Sequence, residues 1–232
     1  MPFLRSAGAV TELYLGTEGV ELDESNPENR FGPGWIASVD DLLDQVAAGP
    51  LTPLVITATG KFFTNGLDTD HIASSPKGLP AYLDSVHALY RKVLTLPVPT
   101  VAAINGHAFG AGAMFALCAD HRIMRTGRGF WSLPEAALGM PFPLGMSSLI
   151  RTRLDDAVAT EAMLTAKRYT AEEALEKRIV EEIVDVDSLL ERARAVAAER
   201  APLAGPNLAE IKRNLRQPLI ADLDIAYPRT VL

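Results

Sequence analysis

The chain has 232 residues, with 22 Lys+Arg against 29 Asp+Glu, a formal net charge of −7 and a sequence pI near 5.2. That balance excludes a general nucleic-acid surface, a hydrophobic share of 48% excludes a disordered chain, and the length suits one large α/β domain. Cys118 is the only cysteine, so no intrachain disulfide or cysteine metal cluster is available, and the absence of a signal core or of about 20 consecutive apolar residues predicts a soluble, cytoplasmic protein without a membrane partner.

In chain order, residues 10–15 alternate as a strand, 17–19 turn and 20–22 return, which predicts a short hairpin. Residues 24–34 read as a loop. From Trp35 the positions Ile36, Val39, Leu42, Leu43 and Val46 fall on one helical face, and Gly49-Pro50 ends that helix. A central strand at 54–57 feeds the loop GKFFTNGLDTD (60–70). After a breaker at 74–78, a helix turns Leu83, Val86, Tyr90, Val93 and Leu94 inward until Pro97 and Pro99 close it. The run 100–104 is β-branched and apolar, as a strand buried on both faces should be. It ends at Asn105-Gly106 and leads to Gly110-Ala111-Gly112, where no side chain exceeds a methyl. The backbone N–H groups there can approach a ligand at the start of an almost wholly apolar helix, 111–119. Strands follow at 121–124 and 129–132, helices at 144–154, 157–166 and 171–177, a strand at 180–184, and helices at 186–200 and 207–216. This alternation reads as right-handed βαβ winding.

Two glycine loops after buried strands can each supply one N–H to the same oxygen. The pair GKFFTNGLD and AINGHAFGAGAMFALCAD, followed by PEAALGMPFPLG, resembles the crotonase superfamily, the enoyl-CoA hydratase/isomerase family. The resemblance is firm over 54–166 and looser in the flanks. It implies an α/β spiral of ββα repeats over 1–185 and a C-terminal helical region, 186–232, that covers the site and builds a homotrimer or a dimer of trimers. It also implies an acyl-CoA substrate, with CoA part of the thioester rather than a separate cofactor. By position in the motifs, the donors to the thioester oxygen are the main-chain N–H groups of Leu67 and Ala111. Lys61, Asn65, Gly66 and Gly110 are the substrate-binding candidates of the two loops, with Lys61 a candidate for the CoA phosphates; Lys212, Arg213 and Arg216 either meet those phosphates from a neighbouring subunit or form a solvated basic helix face.

Hydratases of the family carry two glutamates. Here the first position is Met114, which cannot exchange a proton, and the second is Glu135, set among Trp131, Leu133, Ala137 and Leu138, where desolvation raises a carboxyl pKa. One carboxylate beside an oxyanion hole suits proton transfer between C2 and C4 of one substrate. The resemblance therefore favours a Δ3,Δ2-enoyl-CoA isomerase, with hydration, thioester hydrolysis or non-catalytic acyl-CoA binding as rivals. Met114 and Phe142, with Phe115 and Met146, are candidates to line the acyl pocket or simply the core. His107 and Asp120 read as structural, Asp68 and Asp70 as loop-stabilising rather than metal-binding, and His71 and His87 have no nameable partner.

Overall fold

Parallel strands cannot be joined by tight turns, so a short aliphatic run that pairs in parallel must first cross over, usually through a helix. The computed structural model describes residues 1–20 and 28–227. Its strands are β1 (Phe3–Ala7), β2 (Val10–Tyr14), β3 (Leu54–Thr57), β4 (Phe62–Thr64), β5 (Thr100–Ile104), β6 (His107–Phe109), β7 (His121–Arg125), β8 (Trp131–Ser132), β9 (Arg168–Tyr169) and β10 (Glu182–Val184). Its α-helices are α1 (Pro33–Ala48), α2 (Thr69–Ser74), α3 (Leu79–Thr95), α4 (Ala111–Cys118), α5 (Glu135–Leu138), α6 (Leu144–Arg153), α7 (Asp156–Thr165), α8 (Ala171–Glu176), α9 (Val186–Glu199), α10 (Pro206–Leu215) and α11 (Gln217–Leu223).

The strands form two sheets in the orders β1-β2-β3-β5-β7-β10 and β4-β6-β8-β9. From β3 onward the first strand of each pair joins the larger sheet and the second joins the smaller, and a helix follows: β3-β4-α2, β5-β6-α4, β7-β8-α5. Pairing is parallel except at β1–β2 and β8–β9. This is the ββα spiral expected from the sequence. One face of the larger sheet is sealed by α9, whose Leu189, Ala193, Val196 and Ala197 pack on Val10, Val55, Val101, Ala103 and Ile123. Its other face and the smaller sheet enclose the main core, with α4 buried along its whole length. Among the described residues no helix is long and apolar enough to cross a membrane.

Three expectations are corrected. The hairpin lies on the other side of β2, between Phe3–Ala7 and Val10–Tyr14, while Val20 is not in a strand and residues 21–22 lie outside the described residues, as does 24–27 of the predicted loop. The sheets gain β4 and β6, each three residues long and too short to show a period. The third concerns Lys212 in α10 and Arg216 just past its end, both of which point inward. Lys212 and Arg216 are each 4% exposed, whereas Ile211 and Leu215 face out. Lys212 donates to the Val98 carbonyl at 2.7 Å, Arg216 donates to the Leu94 carbonyl, and both pair with Asp120. These two residues are thus unavailable to a CoA phosphate; only Arg213 of the three is exposed.

Asp120 also accepts from the Thr100 N–H and hydroxyl, tying the end of α4 to β5, at 2.9 and 3.0 Å. Burial alone would raise its carboxyl pKa, but Lys212 and Arg216 hold it below the ordinary value. An Asp120→Asn exchange leaves two buried cations uncompensated and should lower unfolding free energy by about 3 kcal/mol in urea titrations; a change below about 1 kcal/mol would show the cluster to be incidental.

Candidate active site

The first loop leaves β4 at Thr64 and enters α2 at Thr69, and nearly every peptide group in it is tethered. Asn65 N–H donates to the Glu28 carbonyl at 3.0 Å and Gly66 N–H to the Thr64 hydroxyl at 3.1 Å. The Gly66 carbonyl accepts from Phe31 N–H at 2.8 Å, and Asp68 N–H donates to the Tyr82 hydroxyl at 2.9 Å. Leu67 stands between those two anchors. Its own N–H and that of Ala111 have no hydrogen-bond acceptor among the described residues.

The second loop is the start of α4. Gly110 N–H donates to the Ser132 carbonyl, and the Gly110 carbonyl accepts from Met114 N–H, which closes the first turn. The amides of Ala111 and Gly112 are first-turn donors that no helix carbonyl can satisfy. The helix dipole adds its positive end there, while at the other end Arg153 donates to the Leu117 and Ala119 carbonyls at 2.8 and 2.9 Å.

The two loops touch at glycines. A Cβ on Gly66 (φ +79°) would stand 2.5 Å from the Phe109 oxygen and 2.9 Å from Ala111 N, and one on Gly112 would stand 2.6 Å from the Thr64 carbonyl oxygen. Neither position has room for a methyl group, so the first loop lies directly on the α4 N-terminus.

Glu135 reaches this point through strand register. β6 and β8 pair Ala108 with Trp131 and Phe109 with Ser132, so the residue three past Ser132 arrives beside Gly110. A Cβ on Gly110 would lie 3.0 Å from Glu135 Oε1. The glutamate is 7% exposed, its Oε2 is buried with no hydrogen-bond partner among the described residues, and burial pushes its pKa up to about 7. A carboxyl near half-ionisation at neutral pH, beside main-chain amides that have no acceptor among the described residues, can take and return a proton next to a developing oxyanion.

The other candidates fall into two groups. Leu67 and Phe142 are half-buried against the core, and Asn65 turns its amide onto the Glu28 carboxylate. Lys61 precedes β4, its ammonium 5.6 Å from the Phe62 ring. Met114 is 0% exposed and packs in the core, the second of its two expected places, and in this structure it offers no surface to a ligand. His107 accepts from Phe130 N–H and is structural. Asp68 caps α2 through His71 N–H, Asp70 pairs with Arg30, and no metal-holding group occurs among the described residues. Two residues that matter were not singled out from sequence: Tyr82, and the hydroxyl of Tyr90, which donates to the Ala111 carbonyl at 2.7 Å.

The profile of the enoyl-CoA hydratase/isomerase family matches residues 16–226. The chain is 32% identical over 211 residues to enoyl-CoA delta isomerase 3 of Arabidopsis thaliana, covering 85% of this chain and 88% of that protein. It is 36% identical over 210 residues to a carnitinyl-CoA dehydratase of Salmonella typhi, covering 89% and 77% respectively. The structure of an enoyl-CoA hydratase/isomerase family protein from Pseudomonas syringae superposes with a TM-score of 0.87 at 26% identity, covering 96% of this chain and 93% of that one.

The raised Glu135 pKa has a consequence for stability. Its folded value of about 7 exceeds the ordinary 4.5, so the fold is fully favoured below about pH 4.5 and loses stability as pH rises through 7. Relative to wild type, Glu135→Gln should gain about 3 kcal/mol in unfolding free energy between pH 5 and pH 8. A wild-type-minus-variant difference that stays flat across that range in urea titrations would contradict the desolvated carboxyl.

Proposed function

The chain belongs to the enoyl-CoA hydratase/isomerase family, and on that premise we propose that it shifts the double bond of an enoyl-CoA thioester from C3 to C2. The N–H groups of Leu67 and Ala111 hold the thioester oxygen. The Glu135 carboxylate removes a proton from C2, the C2–H electrons delocalise into a dienolate, and negative charge collects on that oxygen. The same carboxyl then returns the proton at C4, the C2=C3 bond forms and the C1 carbonyl is restored, with no net gain or loss of atoms. Each amide of such a pair is worth about 2.7 to 4 kcal/mol of barrier.

The observation that carries this reading is that one desolvated carboxylate stands at the α4 N-terminus while the residue one turn into the helix, Met114, is apolar and buried. Addition of water requires both activation of the water and protonation of the adjacent carbon, commonly by two groups. Isomerisation requires one group that acts twice. The relatives named delta isomerases support the reading. The similarity to a carnitinyl-CoA dehydratase favours a second one, in which a carboxylate elsewhere joins Glu135 to add or remove water.

A panel of 3-enoyl-CoA and 2-enoyl-CoA thioesters of varied chain length separates the two. Conversion of 3-enoyl to 2-enoyl product without 3-hydroxy ester supports isomerisation; hydration of the 2-enoyl ester at a comparable rate contradicts it. Because the base must be ionised, kcat/KM should rise with pH through about 7 and level off. Glu135→Gln should lower kcat at least 1000-fold, an order-of-magnitude expectation for removing the proposed proton carrier, while acyl-CoA binding changes little. Retained turnover in that variant would remove Glu135 from the mechanism.

A further inference from the structure

Helix α3 carries Tyr82 and Tyr90, eight residues and so about 12 Å of rise apart. Each hydroxyl ends on the main chain of a different loop of the site. Tyr82 accepts from Asp68 N–H at 2.9 Å and donates to the Phe31 carbonyl at 2.9 Å, and Phe31 N–H in turn grips the Gly66 carbonyl at 2.8 Å. The Gly66 carbonyl and the Leu67 N–H are two ends of one peptide group, and the Asp68 N–H belongs to the next. Tyr82 therefore fixes the peptide plane after Leu67 directly and bears on the plane before it through Phe31. Tyr90, wholly buried, donates to the Ala111 carbonyl in the peptide that follows the Ala111 N–H, while the plane before it is held by Met114 N–H on the Gly110 carbonyl.

We propose that Tyr82 and Tyr90 form a bracket of positioning residues, through which α3 sets the direction of the Leu67 and Ala111 amides relative to each other. This rests on the assignment of those two amides as the oxyanion donors. The hydroxyls suit the task chemically. Burial pushes Tyr82 up to about 12 and raises Tyr90 well above the ordinary tyrosine value, so both keep their protons at any working pH. One rigid helix also joins the two grips, and a shift of one loop without the other breaks a buried hydrogen bond. Donor direction matters because misplacement by about 1 Å can cost a hundredfold in rate.

The test uses Tyr82→Phe and Tyr90→Phe in the full chain, with Tyr169→Phe as a matched control, since Tyr169 loses a hydroxyl bond of similar length to Glu161 outside the bracket. Two readouts are taken: kcat and KM on a 3-enoyl-CoA, and the acidity of bound acetoacetyl-CoA, followed by the ultraviolet absorbance of its enolate. The bracket predicts that each of the two variants lowers kcat about tenfold with KM changed less than about twofold, and lowers the acidity of bound acetoacetyl-CoA about tenfold. Tyr169→Phe should move neither. If the wild type acidifies acetoacetyl-CoA and both variants do so equally well, the bracket is wrong and the donor assignment stands. If the wild type does not acidify it at all, the donor assignment fails and takes the bracket with it. Should Tyr90→Phe not fold, Tyr82→Phe alone decides, because its bond lies at the loop rather than on the buried helix.

Discussion

The α-carbon of Gly66 lies so close to the Ala111 and Phe109 backbone that no methyl group fits between them. That contact joins two loops delivered by different strands, and the rest of the molecule is arranged to keep it. β3 and β5 pair in parallel, as do β4 and β6, so each loop leaves its own strands at the same end. Apolar packing then fixes α4, which has no side chain able to hydrogen-bond beyond Cys118 and no exposed residue. What such a helix has to offer a ligand is main chain, and its unsatisfied first-turn amides are where that offer is made.

The proposed reaction also requires a proton carrier that water does not level. Glu135 suits that role by desolvation rather than by pairing: among the described residues no cation pairs with it and its second oxygen has no partner, and burial pushes its pKa up to about 7. The contrast with Asp120, at the other end of α4, is instructive. There burial is outweighed by Lys212 and Arg216, and the carboxylate stays charged and holds the fold. The two acids stand at opposite ends of α4, one held charged by buried cations and the other shifted towards neutrality by desolvation, and the neighbouring charges decide which.

Much of this was legible in the sequence. Small-residue loops after β-branched runs announce close backbone approach, and the uniformly apolar stretch of α4 announces a buried helix; Glu135 by its residues alone reads as a loop-surface acid, and only the family resemblance places it at the site. The family resemblance supplied the donor positions. Other features left no periodic signal. β1 is only half-buried and alternates weakly, and β4 and β6 are three residues long. The inward Lys212 and Arg216 reverse the usual amphipathic rule because Asp120, 96 residues before Arg216, waits beneath them. Met114 faces the core rather than a ligand, a distinction that helical spacing cannot make. The tyrosine hydroxyls bond main-chain atoms 14, 21 and 51 positions away, and residue type does not encode a backbone partner.

The central claim is that two amides from separate loops converge on one thioester oxygen. Isotope-edited infrared spectroscopy of a saturated acyl-CoA labelled with carbon-13 at C1 reads that oxygen directly. Binding should move the labelled carbonyl stretch to a clearly lower frequency in a single sharp band, as two strong donors polarise the C=O bond. A bound ligand whose carbonyl band stays where it is in water would contradict the account.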